Sequence, residues 1–284
     1  MTYGEIFKNA AEILSERGIE SPEYDIRCMM QRCFGIGRSS FFQLKNEIAD
    51  EQQKDVFFLS VKKRAQGYPL QYILGNWSFM DCELSVGEGV LIPRDDTEVC
   101  VRECITMIEN AGIKSPVIID LCSGSGAIAI SVAKKLPGAN VTALEFSEKA
   151  FGYLCRNIEL NKLGNVSPVN GDIYEYFKNY ADGYFDVIIS NPPYIRTDEI
   201  PTLQKEVLFE PEMALDGGSD GLDFYRCIAD KWLSKLKKGG IMSLEIGENQ
   251  GESVPDIFRS KGCGNITVVK DIQNLDRAVT LYLN

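Results

Sequence analysis

Asn191-Pro192-Pro193-Tyr194 is the stretch of this 284-residue chain whose residue types define a chemistry most narrowly. It follows an apolar run, Tyr184 to Ser190, that reads as a buried parallel strand. Two consecutive prolines stiffen the backbone and remove two N–H donors. The first of them also pushes Asn191 out of the helical region. Asn191 is thereby held at a strand's C-terminal end, where open α/β sheets bind ligands in a crevice. Its side-chain oxygen and the Pro192 carbonyl are two acceptors suited to the two N–H groups of a planar –NH2. Tyr194 is expected to pack on that flat group and fix its plane. An amide nitrogen shares its lone pair with the adjacent π system and is a poor nucleophile. Two acceptors on its N–H bonds localise that pair and stabilise charge developing on nitrogen, as an oxyanion hole does with opposite sign.

A second constellation begins at Val117. The apolar run Val117-Ile118-Ile119 ends in Asp120-Leu121, followed by Cys122-Ser123-Gly124-Ser125-Gly126 and the helix-like run from Ala127. Glycines let a backbone approach a ligand closely, and a helix N-terminus favours acceptors. Glu145 closes the next strand, 19 residues beyond Gly126, where a carboxylate takes both hydroxyls of a ribose. Gly171-Asp172-Ile173 after the third strand supplies a polar group and an apolar neighbour for an adenine edge. Gly124-x-Gly126-x-x-Ala129 also fits the dinucleotide fingerprint loosely, which keeps a nicotinamide-dependent oxidoreductase as a rival reading. Asp120 decides against it, because a pyrophosphate disfavours a carboxylate at the strand tip. S-adenosyl-L-methionine is cationic and carries no phosphate, and it is the expected cofactor. Its departing thioether is neutral, so methyl transfer requires no general acid.

A third block, Leu91-Ile92-Pro93-Arg94-Asp95-Asp96-Thr97-Glu98, opens a helix that Asp96 or Thr97 is placed to cap, with Arg94 available for an ion pair.

The elements that must carry these residues follow from periodicity. Residues 1–70 read as short helices: Ile6, Phe7, Ala10, Ala11 and Leu14 follow helical spacing and Gly18 stops that helix. Ser21-Pro22 reads as an N-cap with a first-turn proline, and Asp50 with Gln53 as a cap for a helix ending near Gly67. Residues 71–92 read as a β-hairpin linker, and residues 93–284 as an α/β domain. In that domain strands at 116–121, 140–145, 166–170, 184–190 and 241–246 alternate with helices at 96–111, 125–135, 147–162 and 219–237. That alternation predicts a doubly wound, mostly parallel sheet, and the closely spaced strands 265–269 and 278–283 predict an antiparallel edge.

Composition narrows the chemistry further. The chain has no histidine, which excludes Ser-His-Asp and Cys-His catalysis and histidine-based metal sites; no metal is expected. Nine cysteines without a C-x-x-C pair read as buried hydrophobes of a reducing compartment. A net charge of −11 opposes binding to free nucleic acid. No apolar run is long enough to span a bilayer, and the start shows no secretory signal, so a cytoplasmic location is expected.

Taken in order, Pro69-Leu70-Gln71-Tyr72-Ile73-Leu74-Gly75, Phe79, Leu91–Glu98, Asp120–Ala127, Asn191–Tyr194 and Phe209-Glu210-Pro211 with Ala214-Leu215 resemble the release factor glutamine methyltransferases, the PrmC/HemK family. The resemblance covers residues 70 to 284, and over 1–70 it lies in size and type rather than in residues. It implies a Rossmann-like class I S-adenosylmethionine-dependent methyltransferase domain, preceded by a small N-terminal helical substrate-recognition bundle and a β-hairpin linker. The implied activity is methyl transfer to the side-chain amide N5 of the glutamine in the Gly-Gly-Gln loop of class I peptide-chain release factors, which modulates translation termination. By resemblance Cys122, Ser123, Gly124, Ser125, Gly126, Glu145, Ile173 and Asn191 line the cofactor, and the residue reading adds Asp120 and Asp172. Asn191, Pro192 and Tyr194 are the catalytic group; with Pro193, Phe79 and Arg94 they bind the substrate. A related N-methyltransferase acting on a ribosomal-protein glutamine or a nucleic-acid exocyclic amine is the alternative. The chain departs from the family pattern at Cys122 (usually Gly), Asp95 (usually Pro), Ile173 (commonly Trp) and Glu145 (more often Asp).

Overall fold

The computed structural model describes residues 1–283. The chain divides into two compact units, Met1–Asn76 with Gln204–Phe209, and Trp77–Leu203 with Glu210–Asn284.

The first unit holds five helices: α1 (Tyr3–Glu16), α2 (Pro22–Phe34), α3 (Arg38–Leu44), α4 (Glu51–Ala65) and α5 (Leu70–Leu74). In α1, Thr2 and Glu5 form a reciprocal capping box, and Ile6, Ala10 and Leu14 fall one turn apart on its buried face. They meet Ile26, Met29, Met30, Phe57 and Val61 in a common core. Asp50 caps α4 by accepting from the Gln53 amide, whereas Ser21 makes no side-chain cap and α2 starts on Pro22 instead. The buried Arg64 guanidinium joins Asp25 at 2.5 Å and Glu206 at 2.6 Å. Helix α5 occupies the first residues of the segment read from sequence as a hairpin.

The second unit opens with the hairpin β1 (Asn76–Phe79) and β2 (Cys82–Ser85), followed by helix α6 (Thr97–Asn110). Alternation then gives β3 (Val117–Leu121), α7 (Ala127–Lys135), β4 (Asn140–Glu145), α8 (Glu148–Leu160), β5 (Val166–Asn170), α9 (Ile173–Tyr176) and β6 (Phe185–Ser190). The chain closes with α10 (Asp223–Cys227), β7 (Leu236–Glu245), α11 (Ser253–Ser260), β8 (Ile266–Lys270) and β9 (Asp276–Tyr282). The sheet runs β5-β4-β3-β6-β7-β9-β8, parallel from β5 to β7, with β9 antiparallel to both neighbours. Strand order reverses between β3 and β6, which places the crevice at their C-terminal ends. One apolar layer packs on each sheet face, centred on Ile118, Val187 and Ile241 on one side and on Ile119, Ile188 and Trp232 on the other.

One predicted helix is broken up. Residues 219–237 form α10, a π-helical turn Ile228–Trp232 and a 3-10 turn Leu233–Lys235. The buried Trp232 donates its Nε1–H to the Ile173 carbonyl at 2.9 Å, and Leu236 already pairs with Phe185. Strand pairing therefore begins five residues before the predicted 241, across a bulge between Phe185 and Val187.

Candidate active site

The switch-point crevice opens into a cavity of about 390 Å3, within the usual range for small-ligand sites. Of the residues singled out from sequence, its wall contains Arg94, Cys122, Ser123, Gly124, Ser125, Glu145, Asp172, Ile173, Asn191 and Pro193.

The turn after β3 is closed by Gly126 N–H to the Ser123 carbonyl at 2.8 Å. Cys122 has φ 60° and Gly124 φ 55°, both left-handed. At Cys122 an L side chain carries a strain of about 1 kcal/mol, at the position where the family pattern has glycine. Burial raises the Cys122 thiol well above its ordinary pKa, aided by Glu145 and Asp120, so it stays a protonated thiol. At Gly124 a Cβ would point into open space.

Glu145 ends β4 with both oxygens directed. Oε2 accepts the Gly124 N–H at 2.8 Å and Oε1 the Ser147 N–H at 2.7 Å. Burial raises its pKa, against the lowering pull of those two amides and that of Phe146. Each oxygen keeps a lone pair for a hydroxyl. Asp172 accepts the Tyr174 amide at 2.8 Å and caps α9, which sets Ile173 into the wall.

Five of the candidates lie off the wall. Asp120 is fully buried beneath the turn, where Oδ2 accepts the Ala129 N–H at 3.2 Å and Oδ1 has no partner among the described residues. Burial lifts its pKa to about 7, with Ser123 and Ala129 lowering it and Glu145 raising it. A carboxyl under the turn acts on a ligand only through the backbone it braces. Gly126 packs rather than faces the cavity: a Cβ there would meet Leu154 at 2.6 Å. Phe79 is 2% exposed and belongs to the sheet-side core, because the hairpin folds its ring inward. Pro192 is buried. Tyr194 turns toward the buried Glu245, its hydroxyl 3.5 Å from Oε1, and burial drives its pKa well above the usual value.

Asn191 is fixed from one side. Its Nδ2 donates to Thr97 Oγ1 at 3.2 Å, and among the described residues its Oδ1 has no partner. Thr97 is thus no helix cap; Asp96 occupies the cap position of α6 without a side-chain bond. Arg94 pairs with the buried Glu210, whose Oε2 also accepts the Ile92 N–H at 2.9 Å.

Sequence reasoning passed over several wall residues: Thr97 as a wall group, Phe146, Tyr174, Met213 and Phe224. Phe146 and Tyr174 directly follow Glu145 and Ile173, so strand-end adjacency was the available signal. The residues present fit S-adenosylmethionine. Glu145 offers a two-oxygen acceptor, Gly124 leaves its side open, and the wall's Arg94 is already engaged by Glu210.

The fold is that of a class I methyltransferase. Solved structures agree on the fold: a methyltransferase from Pyrococcus furiosus matches with TM-score 0.51 and 19% identity, covering 72% of this chain and 90% of that one. The hMettl16 catalytic domain matches with TM-score 0.56 and 14% identity, covering 83% and 82%. Two family models match: the PrmC N-terminal domain over residues 5–75, and the methyltransferase small domain over residues 103–218. Release factor glutamine methyltransferases from three bacteria align over most of the chain. That of Thermodesulfovibrio yellowstonii is 41% identical over 250 residues, 87% of each chain. That of Fusobacterium nucleatum is 35% identical over 277 residues, 97% of this chain and 77% of the relative. That of Moorella thermoacetica is 34% identical over 284 residues, 99% of each.

The chain belongs to the release factor glutamine methyltransferase family. Among the described residues no helix is long and apolar enough to cross a membrane, and no cluster of ligating side chains is set to hold a metal ion.

Proposed function

We propose that this protein transfers a methyl group from S-adenosylmethionine to the side-chain amide nitrogen of a glutamine, the one in the Gly-Gly-Gln loop of class I peptide-chain release factors, in the cytoplasm. The observation that carries the reading is the half-satisfied Asn191 carboxamide on the cavity wall: Nδ2 is tied to Thr97 and Oδ1 is left for an incoming N–H.

Bound S-adenosylmethionine would supply an electrophilic methyl carbon on a cationic sulfur. Every other task falls to the chain. Glu145 would hold the ribose hydroxyls, and the turn Cys122–Ser125, on the same wall, would line the ligand. Asn191 Oδ1 receives one amide N–H bond; the Pro192 carbonyl, read from sequence as the second acceptor, would have to be reached between the wall residues Asn191 and Pro193 on either side of it. Held this way, the nitrogen lone pair leaves conjugation and points at the electrophile; such alignment contributes much of the rate. The two oxygens stabilise positive charge growing on nitrogen. Once methylated, the nitrogen is strongly acidic and its proton leaves to solvent, so the absence of histidine costs nothing. Tyr194 holds the loop through Glu245 rather than stacking on the amide, as the sequence suggested. The helical unit is the candidate surface for recognising the release factor.

Incubation with methyl-labelled S-adenosylmethionine and a release factor tests the reading. Label should enter the wild-type factor and be absent when the loop glutamine is replaced. Labelling that ignores the replacement, or no labelling while the cofactor binds, would remove the assignment.

A further inference from the structure

Gln250 lies in the turn between β7 and α11 and is no part of the cavity wall. Its carboxamide nevertheless binds the loop that carries Asn191. Nε2 donates to the Tyr194 carbonyl at 3.1 Å and to the Gly221 carbonyl at 3.1 Å. Oε1 accepts the Gly247 N–H at 2.9 Å. All three partners are backbone groups, and a backbone group cannot exchange donor for acceptor. The orientation of the carboxamide is therefore fixed. Flipped, its oxygen would face two carbonyls and its –NH2 an N–H. The side chain also starts from a closed turn, because the Gln250 N–H donates to the Gly247 carbonyl at 2.9 Å.

The bond to Tyr194 completes the hold on a single peptide group. The Tyr194 carbonyl and the Ile195 N–H belong to one planar unit. Gln250 holds the carbonyl, and the Leu215 carbonyl accepts the Ile195 N–H at 2.9 Å. Pro192 and Pro193 stand between that pinned plane and Asn191, each with φ locked at roughly −65°. Few rotations remain by which Asn191 can move independently of it. With Asn191 Nδ2 tied to Thr97 at 3.2 Å, the stretch is held at both ends. The backbone crowds in around the same point. A Cβ on Gly221 would lie 2.4 Å from the Tyr194 oxygen, and one on Gly217 2.7 Å from Tyr194 Cα.

We propose that Gln250 is a positioning residue for methyl transfer: by pinning the Tyr194–Ile195 peptide it holds, through the two prolines, the Asn191 carboxamide at the cavity. The inference rests on the proposed function for the reaction it serves; the pinning itself is independent of that reading.

The test uses the full-length protein with Gln250→Leu, Gln250→Glu and Tyr225→Phe. Leucine removes both polar ends at similar size. Glutamate keeps an acceptor for Gly247 but sets an oxygen against the two carbonyls; it carries the test if Gln250→Leu fails to fold. Tyr225→Phe is the neighbouring control. It removes a hydroxyl 2.8 Å from the Glu245 carbonyl and 3.3 Å from Gln250 Oε1, and leaves the bond to Tyr194 in place. Hydrogen exchange of the Ile195 amide, measured without substrate, reads the pinning. Calorimetric titration gives the S-adenosylmethionine Kd and the number of binding sites. Turnover of a release factor gives KM and kcat, expressed per cofactor-binding site so that unfolded protein is not counted as lost rate. Both Gln250 variants should speed Ile195 exchange roughly fivefold to tenfold, the scale of one lost hydrogen bond. Their kcat should fall roughly tenfold to hundredfold, the scale of misplacing a reacting group. KM and the cofactor Kd should stay within about threefold, because the brace serves the transition state rather than binding. Tyr225→Phe should keep kcat within about threefold of the wild type. Unchanged Ile195 exchange, wild-type kcat in both Gln250 variants, or an equal loss of kcat in Tyr225→Phe would overturn the proposal. Faster Ile195 exchange in a protein whose wild type never methylates a release factor would instead overturn the function and leave the pinning standing.

Discussion

Asn191 Nδ2 donates to Thr97 Oγ1 at 3.2 Å, across a separation of 94 residues. The bond ties the loop after β6 to the first turn of α6 and leaves the asparagine oxygen as the free acceptor on the cavity wall. The strand end that carries Asn191 and the block that opens the domain are thus tied together.

A second long-range clamp shapes the same wall. Glu210 accepts the Ile92 N–H at 2.9 Å and pairs with Arg94, and its side chain is almost wholly buried. Glu210→Ala would orphan a buried amide and leave Arg94 without its partner. Arg94 is partly solvated, which moderates the loss. Denaturant unfolding should show destabilisation of about 2 kcal/mol. Glu210→Gln keeps an acceptor for Ile92 and should cost less. Equal loss in both variants would mean that charge, not the amide bond, holds the wall.

Gly126 is the tightest point of the turn. Its φ is 84°, and a Cβ would sit 2.6 Å from Leu154 and 3.0 Å from Ile130. Gly126→Ala should lower the melting temperature and weaken S-adenosylmethionine binding at least tenfold, because Ser123 to Ser125 would shift with the helix start. Calorimetric titration checks it; unchanged affinity would show that the turn does not register the cofactor.

Asp120 and Glu245 are fully buried carboxyls, each lifted to about 7 by loss of hydration. Asp120 faces Glu145, Cys100, Cys104 and Cys122, and Glu245 faces Asp96, Arg277, Tyr194, Tyr225 and Cys100. In the unfolded chain carboxyls titrate near roughly 4. Between those values the folded protein holds protons that the unfolded chain releases. Their contribution to stability is therefore complete below roughly pH 4 and is lost as pH rises through about 7. The wild type's stability margin over Asp120→Asn should shrink from pH 5 to pH 8, as read by urea unfolding. A margin that widens with pH would contradict the assignment.

Strands β3, β4 and β6 are legible because each is a short, largely apolar run bounded by polar residues, such as Glu145 at the end of β4 and Ser190 at the end of β6. The β7 start was not, because Lys237-Lys238-Gly239-Gly240 carries no strand pattern and is extended only by pairing near Phe185. The tail of the preceding helix was misjudged for a related reason: burial of Trp232 against Ile173 reshapes it, and that contact is tertiary. Asn191 and the glycine turn stood out because proline and glycine act locally on the backbone. Phe79 is placed at the substrate by family resemblance and Tyr194 by its flat ring, yet side-chain direction is set by packing. The Asn191–Thr97 bond, across 94 residues, had no local signature at all.

The account turns on whether the Asn191 carboxamide grips the substrate amide during methyl transfer. Measuring kcat on a release factor and the S-adenosylmethionine Kd together for Asn191→Ala tests this most directly. The predicted result is a fall in kcat of about 10²–10³, as for removing one preorganised polar group, with cofactor affinity changed far less. A variant that turns over like the wild type, or that loses cofactor affinity in proportion to kcat, would contradict it.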